Sequence, residues 1–442
     1  MSLPPEPVQA DASLPSETEV VVIGGGIIGV FAALILAERG IPVVLCEKGI
    51  IAGEQSGRNW GWCRATGRDP RELPLILESL RLWRDLDRRI AGHTGYRTSG
   101  ILYLYDSLAD EASYAQWLDT VSAFPVDSRF LSAHEISNLL PDGRKQWKGA
   151  LYTSGDGGAE PSLAAPAIAR RARQLGAHIL LDCAVRGVER QGGRVSGVVT
   201  ERGVIRCQSV ILAGGAWSRL FCGNLDLDLP QLKVLGSVMR SAPLPGGPEV
   251  SLKASGFGFR KRADGGYIVS QASATVTDIV PDSFRLLRSF WPAFRAQGRK
   301  MRLRLGRRFT DEWRLKRRWG MDDISPFELV RMLDPAPIPE ILTQACSNLA
   351  NVFPIFRHLK MAQSWGGFID VMPDAIPVIS TVATVPGLVL ATGFSGHGFG
   401  LAPAAAQLAV DLATGGIPAA DPRPFSFDRF AASGKLQLDQ SV

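Results

Sequence analysis

Residues 19–29 read EVVVIGGGIIG, and the fold turns on them. The opening EVVVI is a short continuous apolar run, as in a parallel-sheet strand covered on both faces. Gly24-Gly25-Gly26-Ile27-Ile28-Gly29 follows, then a stretch rich in Ala, Leu and Ile that reads as helix to Arg39, with Gly40 placed to cap it. Residues 42–46 (PVVLC) read as the next strand, closed by Glu47. This is a βαβ unit of about 30 residues. A pyrophosphate can reach a helix N-terminus only where no Cβ blocks it, and the helix dipole favours its charge there. An acid ending the second strand accepts the ribose hydroxyls, and Glu47 holds that place. Gly24, Gly26, Ile27, Ile28, Gly29 and Glu47 are therefore read as a dinucleotide site. Glu47 argues against a 2′-phosphate, so NADP is not expected. NAD and FAD both stay open at this point.

Outward from this unit, residues 72–89 read as an amphipathic helix, 98–105 as a strand, and 161–175 as a helix opened by Pro161. Strands are expected at 178–181, 194–200, 209–213 and 387–391, and a hairpin over 251–275 turning at Asp264–Gly266. A glycine-rich turn and a last helix, to about Gly415, follow the 387–391 strand. Strands within 19–47, 178–213 and 387–391 are expected to share one sheet, with the middle of the chain inserted between them.

The composition narrows the class. The chain has 442 residues, 45% hydrophobic and 21% charged, which allows two to three domains with large cores and excludes bulk disorder. Six cysteines form no CxxC pair and five histidines show no ligand spacing, so no metal and no disulfide are expected. Residues 1–18 are polar and proline-rich and read as a flexible tail rather than a signal peptide. No apolar run approaches the roughly 18 residues of a membrane span. A cytoplasmic protein is expected, either soluble or peripheral to the inner face of the membrane.

Three further segments carry chemistry. Residues 53–64 (GEQSGRNWGWCR), with Lys48 before them, offer hydroxyls, amides and small residues for a pyrophosphate and a ring edge: Ser56, Arg58, Asn59 and Gly61. Trp60 and Trp62 could equally be core. Residues 210–218 (VILAGGAWS) run a strand into Ala213 and Gly214. Residues 391–401 (ATGFSGHGFGL) place Gly396, His397, Gly398, Phe399 and Gly400 at a second helix start, where backbone N–H groups can face an anionic ring.

The order of these segments resembles the D-amino-acid oxidase and glycine oxidase superfamily of flavoproteins. EVVVIGGGIIG, LAERG, EKGIIAGEQS, CAVRGVERQ, VVTERG, SRLF and ISPFE are most similar to the membrane-associated bacterial L-amino-acid deaminases, over roughly residues 19–430. The resemblance decides for FAD and implies an α/β (α+β) fold: a Rossmann-type FAD-binding domain at 19–95, 150–230 and 361–430, and an inserted antiparallel-sheet substrate domain at 96–149 and 231–360, with a basic insertion at 281–330. It implies oxidation of an amino acid to an imino acid, which hydrolyses to a 2-keto acid and ammonia. Hydride would leave the α-carbon for flavin N5. Val185 matches a residue that holds adenine through its backbone, and Arg260 matches the arginine that pairs with the substrate carboxylate.

Four departures bear on the substrate. The family's N-terminal membrane segment is not seen ahead of residue 19. Trp62 stands where the deaminases have a polar substrate contact. Residues 396–400 read more like glycine and sarcosine oxidases. Ile369-Asp370 occupies a stretch where many members carry an arginine, and Asp370 could meet a cationic part of the substrate. Gly367 stands where sarcosine-type oxidases attach FAD through cysteine, so non-covalent FAD is expected. The catalytic set is thus read as Arg260, His397, Asp370 and Trp62, with Arg58 or Arg64 next in line as the carboxylate partner. A D-amino-acid dehydrogenase, a secondary-amine oxidase and a non-catalytic flavin-binding protein are the alternatives.

Residues 281–318 hold thirteen arginines and lysines against Asp282, Asp311 and Glu312, a local surplus of +10 in a chain of net +6. Aromatic and leucine residues are interleaved with these charges. A basic amphipathic stretch of this kind can dock on anionic lipid, so electron acceptors of both kinds, oxygen and quinone, are considered. No recognition motif accompanies the charge, and no nucleic-acid partner is expected.

Overall fold

In a computed structural model, which describes residues 4–141, 143–271, 275–298, 301–431, 436–439 and 441, the 19–47 segment folds as a βαβ unit. Strand β1 (Val20–Ile23) and strand β2 (Val43–Cys46) flank helix α1 (Ile27–Glu38). Both strands are buried at every position, which is why their sequences are continuous rather than alternating. Six strands form the sheet in the order Val378–Thr381, Leu388–Thr392, Ser209–Leu212, β1, β2, His178–Leu180. Five run parallel, and Val378–Thr381 pairs antiparallel at one edge. Helix α1 packs against Pro161–Gln174 and the final helix Gly398–Thr414, which also meets Leu73–Ile90. One apolar core runs through these helices and the sheet.

The 194–200 strand does not join that sheet. Gly192 and Gly193, at φ 59° and 81°, turn the chain so tightly that Arg194–Thr200 folds back on Val185–Gln191. With Gly203–Arg206 these make a separate three-stranded antiparallel ribbon.

The second large sheet has ten strands and is mostly antiparallel. Its centre is the ladder of Leu232–Ser241 on Met361–Val371, whose register sets Gly236 opposite Gly367 and Lys233 opposite Asp370. The expected hairpin is present, Phe257–Lys261 on Tyr267–Ser270. Helix Pro339–Val352 covers this sheet over a core that includes Phe257, Phe259, Tyr267 and Phe353.

The expectation of a flexible tail is corrected for the described part of residues 1–18. Glu6 N–H donates to Ser162 O, Asp11 N–H to Ile179 O at 2.8 Å, and Thr18 N–H to Arg206 O. Asp11 also pairs with Arg173 at 2.8 Å. A polar, proline-rich strand lacks a side-chain core of its own, but its backbone can still dock on a sheet edge.

The basic stretch folds as helices Pro281–Arg285, Leu287–Gln297 and Arg307–Arg314 and a strand Met301–Arg304, which extends the large sheet by pairing with Thr275–Asp278. Asp282 takes Arg219, Arg285 and Arg317; Asp278 takes Arg304 and Arg308. Phe284, Trp291, Leu305 and Trp313 stay more than half exposed, at 65%, 51%, 70% and 67%.

Candidate active site

A cavity of about 500 Å³ runs from the β1–α1 turn to the face of the large sheet. At its nucleotide end the glycines act differently. Gly24 has φ +108°, and a Cβ on it would fall 2.5 Å from Ala213 O. Gly26 faces open space apart from Ser56 Oγ at 3.1 Å, leaving room for a phosphate. Gly29 does not line the cavity; a Cβ there would meet Gly24 O at 1.9 Å, so it permits close packing of helix and strand. Ser56 Oγ accepts from the Ile27 N–H at 2.8 Å at the helix N-terminus, and Ile27 and Ile28 both line the wall. The half-buried Glu47 carboxylate accepts from Gly25 N–H at 2.6 Å and Gly49 N–H at 2.7 Å. Burial pushes its carboxyl above the usual range, and these two amides counter that shift.

The loop after β2 is held from several sides. Lys48 Nζ donates to Glu54 at 2.7 Å and to the carbonyls of Val330 and Arg331. Arg58 pairs with Asp334 at 2.5 Å and donates to Gly366 O, which fixes its guanidinium as a strut. Asn59 donates to Ser56 O and accepts from Gly61 N–H, shaping the turn. Val185, Ala213 and Gly214 line the cavity; Ala213 N–H bonds Ile23 O, continuing the sheet. At the far helix start, Gly396, Gly398 and Phe399 line it, and Gly396 has φ +85°. Gly400 does not: a Cβ there would lie 3.1 Å from Cys63 Cα.

Three of the four expected catalytic residues are placed differently from the sequence reading. Arg260 is a correction. Its guanidinium is buried off the cavity, Nη1 donating to Glu160 at 2.8 Å and Nε to Trp60 O at 2.6 Å. Gly61 and Gly158 border its slot, since a Cβ on either would come within 3.0 Å of it. Burial alone would raise the Glu160 carboxyl, but Arg260 outweighs it and brings it to about 2. His397 also lies off the cavity, its Nδ1 3.1 Å from Glu72. Burial and the nearby Arg68 hold its imidazole below the ordinary value, so it is neutral at pH 7. Asp370 lines the cavity, yet its carboxylate accepts from Gln231 at 3.1 Å and Gly393 N–H at 2.9 Å. Burial lifts it to about 6, and its partners make it a brace between the ladder and the glycine-rich turn. Trp62 lines the cavity, edge-on to Trp60 with centroids 4.9 Å apart, and its Nε1 has no partner.

Arg68, Tyr103, Lys253 and Gln271 line this end without any motif to announce them, together with Arg64. They come from separate segments, so local spacing could not have found them. The strap around Phe327 and Arg331 was marked in the sequence by the ISPFE likeness alone, with no role attached: Arg331 pairs with Glu201 at 2.5 Å and Arg186 with Glu328 at 2.8 Å, closing the nucleotide end. Among the described residues no group of His, Cys, Asp and Glu could hold a metal ion. Cys46, beside Glu47, is the lining cysteine among the described residues, and Gly367 forms part of the floor, so the ring end offers no thiol. The cradle at Gly26 and the carboxylate of Glu47 fit the diphosphate and ribose of FAD, and the donor-rich far chamber fits a substrate beside its ring.

Comparison with known proteins agrees with this geometry. A family described as FAD dependent oxidoreductase (DAO) matches residues 19–412. The L-amino acid deaminase from Proteus myxofaciens, solved in complex with anthranilate, is similar at a TM-score of 0.93 and 35% identity, over 97% of this chain and 98% of that one. Sarcosine oxidase subunit beta from Arthrobacter sp is 26% identical over 96% of this chain and 94% of its own length. Glycine oxidase from Pseudomonas putida is 26% identical over 92% and 98%.

Proposed function

The chain belongs to the DAO family of FAD dependent oxidoreductases, whose members act on the carbon–nitrogen bond of amino acids and amines, and from that premise we propose that it deaminates an amino acid oxidatively in the manner of the L-amino-acid deaminases. The observation that carries this reading is the single cavity joining the Gly26–Glu47 cradle to a chamber lined by Arg68 and Trp62. FAD, when bound, supplies the two-electron acceptor for hydrogen on the amine-bearing carbon. Arg68, 3% exposed, with Nη1 free of hydrogen bonds and 3.9 Å from Glu72, is placed to take the substrate carboxylate in the role that Arg260 cannot fill. Trp60 and Trp62 exclude water from that end, and a desolvated amine among cations loses its proton more readily, so no side-chain base is required. The start of helix Gly398–Thr414 presents its positive end to the cavity at Gly398 and Phe399, where negative charge would build. With a neutral imidazole turned to Glu72, His397 contributes position rather than charge.

Oxidation of a secondary amine is the second reading, favoured by the sequence likeness to sarcosine and glycine oxidases. Anaerobic bleaching of the flavin across L-, D- and N-methyl amino acids separates the two, and failure of every amine to bleach it would sink both. FAD is held without a covalent bond, so acid is expected to release it.

For the electron acceptor, the basic face with its exposed Phe284, Trp291 and Trp313 supports peripheral contact with an anionic membrane and delivery to quinone. No helix among the described residues is long and apolar enough to cross a membrane. Co-sedimentation with anionic vesicles at low salt, lost at high salt, is expected. No sedimentation together with fast peroxide formation would identify a plain oxidase.

A further inference from the structure

The nucleotide end has a wall that the βαβ unit does not supply. Residues 325–335 cross it as a strap, and Phe327 and Arg331 line the same cavity as Glu47, Lys48 and Val185. The two halves of the strap are held differently. Phe327 is the fixed point: it is 5% exposed, with ring centroids 5.7 Å from Trp217, 6.0 Å from Phe221 and 5.3 Å from Trp319. It lies in the short helix Pro326–Leu329, whose Glu328 accepts from Ser325 N–H at 2.8 Å and from Arg186 at 3.0 and 2.8 Å.

Past Leu329 the chain enters no helix or strand before Pro339, and polar contacts hold it. Arg331 donates to both oxygens of Glu201, at 2.5 and 2.6 Å, and to Lys48 O at 3.0 Å. Lys48 Nζ donates in return to Val330 O at 3.0 Å and Arg331 O at 2.7 Å. Leu333 N–H donates to Glu54 at 3.0 Å, and Arg58 pairs with Asp334. Val330 and Leu333 pack on the core only in part, and Met332 is exposed.

Arg331 joins two segments that border the nucleotide site. Lys48 follows Glu47 at the end of β2, and Glu201 accepts from Ala184 N–H at 2.6 Å, next to Val185. Gly49 lets the strap lie this close, since a Cβ there would meet Arg331 O at 2.7 Å. Glu201 itself does not line the cavity. A half-exposed ion pair exchanges for water at small cost, whereas drawing Phe327 out of its aromatic cluster exposes a whole ring. The strap therefore has an apolar hinge and a polar latch. We propose that residues 325–335 form a lid on the FAD site, hinged at Phe327 and latched by Arg331 on Glu201, and that the latch opens for the cofactor to enter or leave.

The test is the exchange of FAD, read from flavin fluorescence. Release is followed from the loaded full chain, and uptake by apoprotein prepared by acid extraction. Glu201→Gln keeps an acceptor for the Ala184 N–H and removes the charge from a residue off the cavity. It is expected to raise the rates of release and of uptake together, each by about 10-fold, as follows from losing a charge-assisted bidentate contact. The dissociation constant then moves much less than either rate. Arg331→Gln serves as the second variant should the first not fold, and faster uptake is again the expected result. Proteolysis gives a readout that needs no variant. The backbone around Arg331 is tied down by Lys48, so trypsin cuts after Arg331 once the lid is up. Bound FAD is expected to slow that cut in the wild type, and Glu201→Gln to speed it by about 10-fold. Faster release with unchanged uptake would make Arg331 a simple contact of the nucleotide and overturn the lid. Exchange at wild-type rates in Glu201→Gln would overturn it as well, as would equal cleavage of the loaded and empty wild type.

Discussion

The two ends of the cavity were built by different means. At the nucleotide end, the β1–α1 turn and Glu47 lie within one βαβ unit, and Ser56 reaches the Ile27 N–H from nine residues beyond it. At the chamber end, Arg64 and Arg68 follow the loop after β2, Tyr103 comes from strand Ile101–Tyr105, Lys253 from strand Ser251–Ala254, and Gln271 from the residue after strand Tyr267–Ser270. The first end is a local motif with steric rules for each glycine. The second is an assembly, in which a residue's role depends on what the fold sets beside it. Arg260 shows the difference: its sequence context resembles that of a substrate clamp, yet Glu160, from the start of a distant helix, takes its guanidinium.

The sharpest break of this comparison is Arg260→Ala. As half of a buried pair it should cost about 3–5 kcal/mol of stability by leaving Glu160 uncompensated. Thermal unfolding should register the loss, while KM in whatever fold survives stays near the wild-type value. A large rise in KM with unchanged melting would restore Arg260 as the clamp.

Asp370 offers a pH-dependent test. Its folded value, about 6, lies above the ordinary 3.8, so its contribution to stability is fully present below the lower value and is lost as pH rises through the upper one. Ionisation should therefore destabilise the fold by roughly 3 kcal/mol between about pH 4 and pH 7. Asp370→Asn should remove that slope, and parallel melting curves for both proteins across this range would show the carboxylate to be unperturbed.

At the nucleotide end the expected effect is smaller and of another kind. Glu47→Ala removes a charged acceptor for the ribose and should weaken FAD binding by about 2 kcal/mol, or roughly 30-fold in Kd. Fluorescence titration of the apoprotein with FAD measures this. A shift in substrate preference without a change in FAD affinity would mean that the two ends are not separate.

Much of the architecture was legible because it is periodic or steric. The continuous apolar runs of β1 and β2 announced a doubly covered sheet, and the Asp264–Gly266 turn announced its hairpin. The 194–200 strand was recognised as a strand and assigned to the wrong sheet, since a strand's pattern records burial but not its neighbours. Residues 4–18 were read as loose because their composition builds no core, while their order rests on backbone bonds that composition does not reveal.

By itself the sequence determined the dinucleotide cradle, five of the six strands of its sheet and the likeness to flavin oxidoreductases, for these depend on residues close in the chain and on glycines that tolerate no Cβ. Tertiary structure alone decided that Arg260 and His397 stand behind the wall, braced by Glu160 and Glu72, while Arg64, Arg68 and Lys253 face the chamber. The physical reason is that a buried charge takes whichever partner the fold brings within hydrogen-bonding distance, and these partners lie 100 and 325 residues away along the chain.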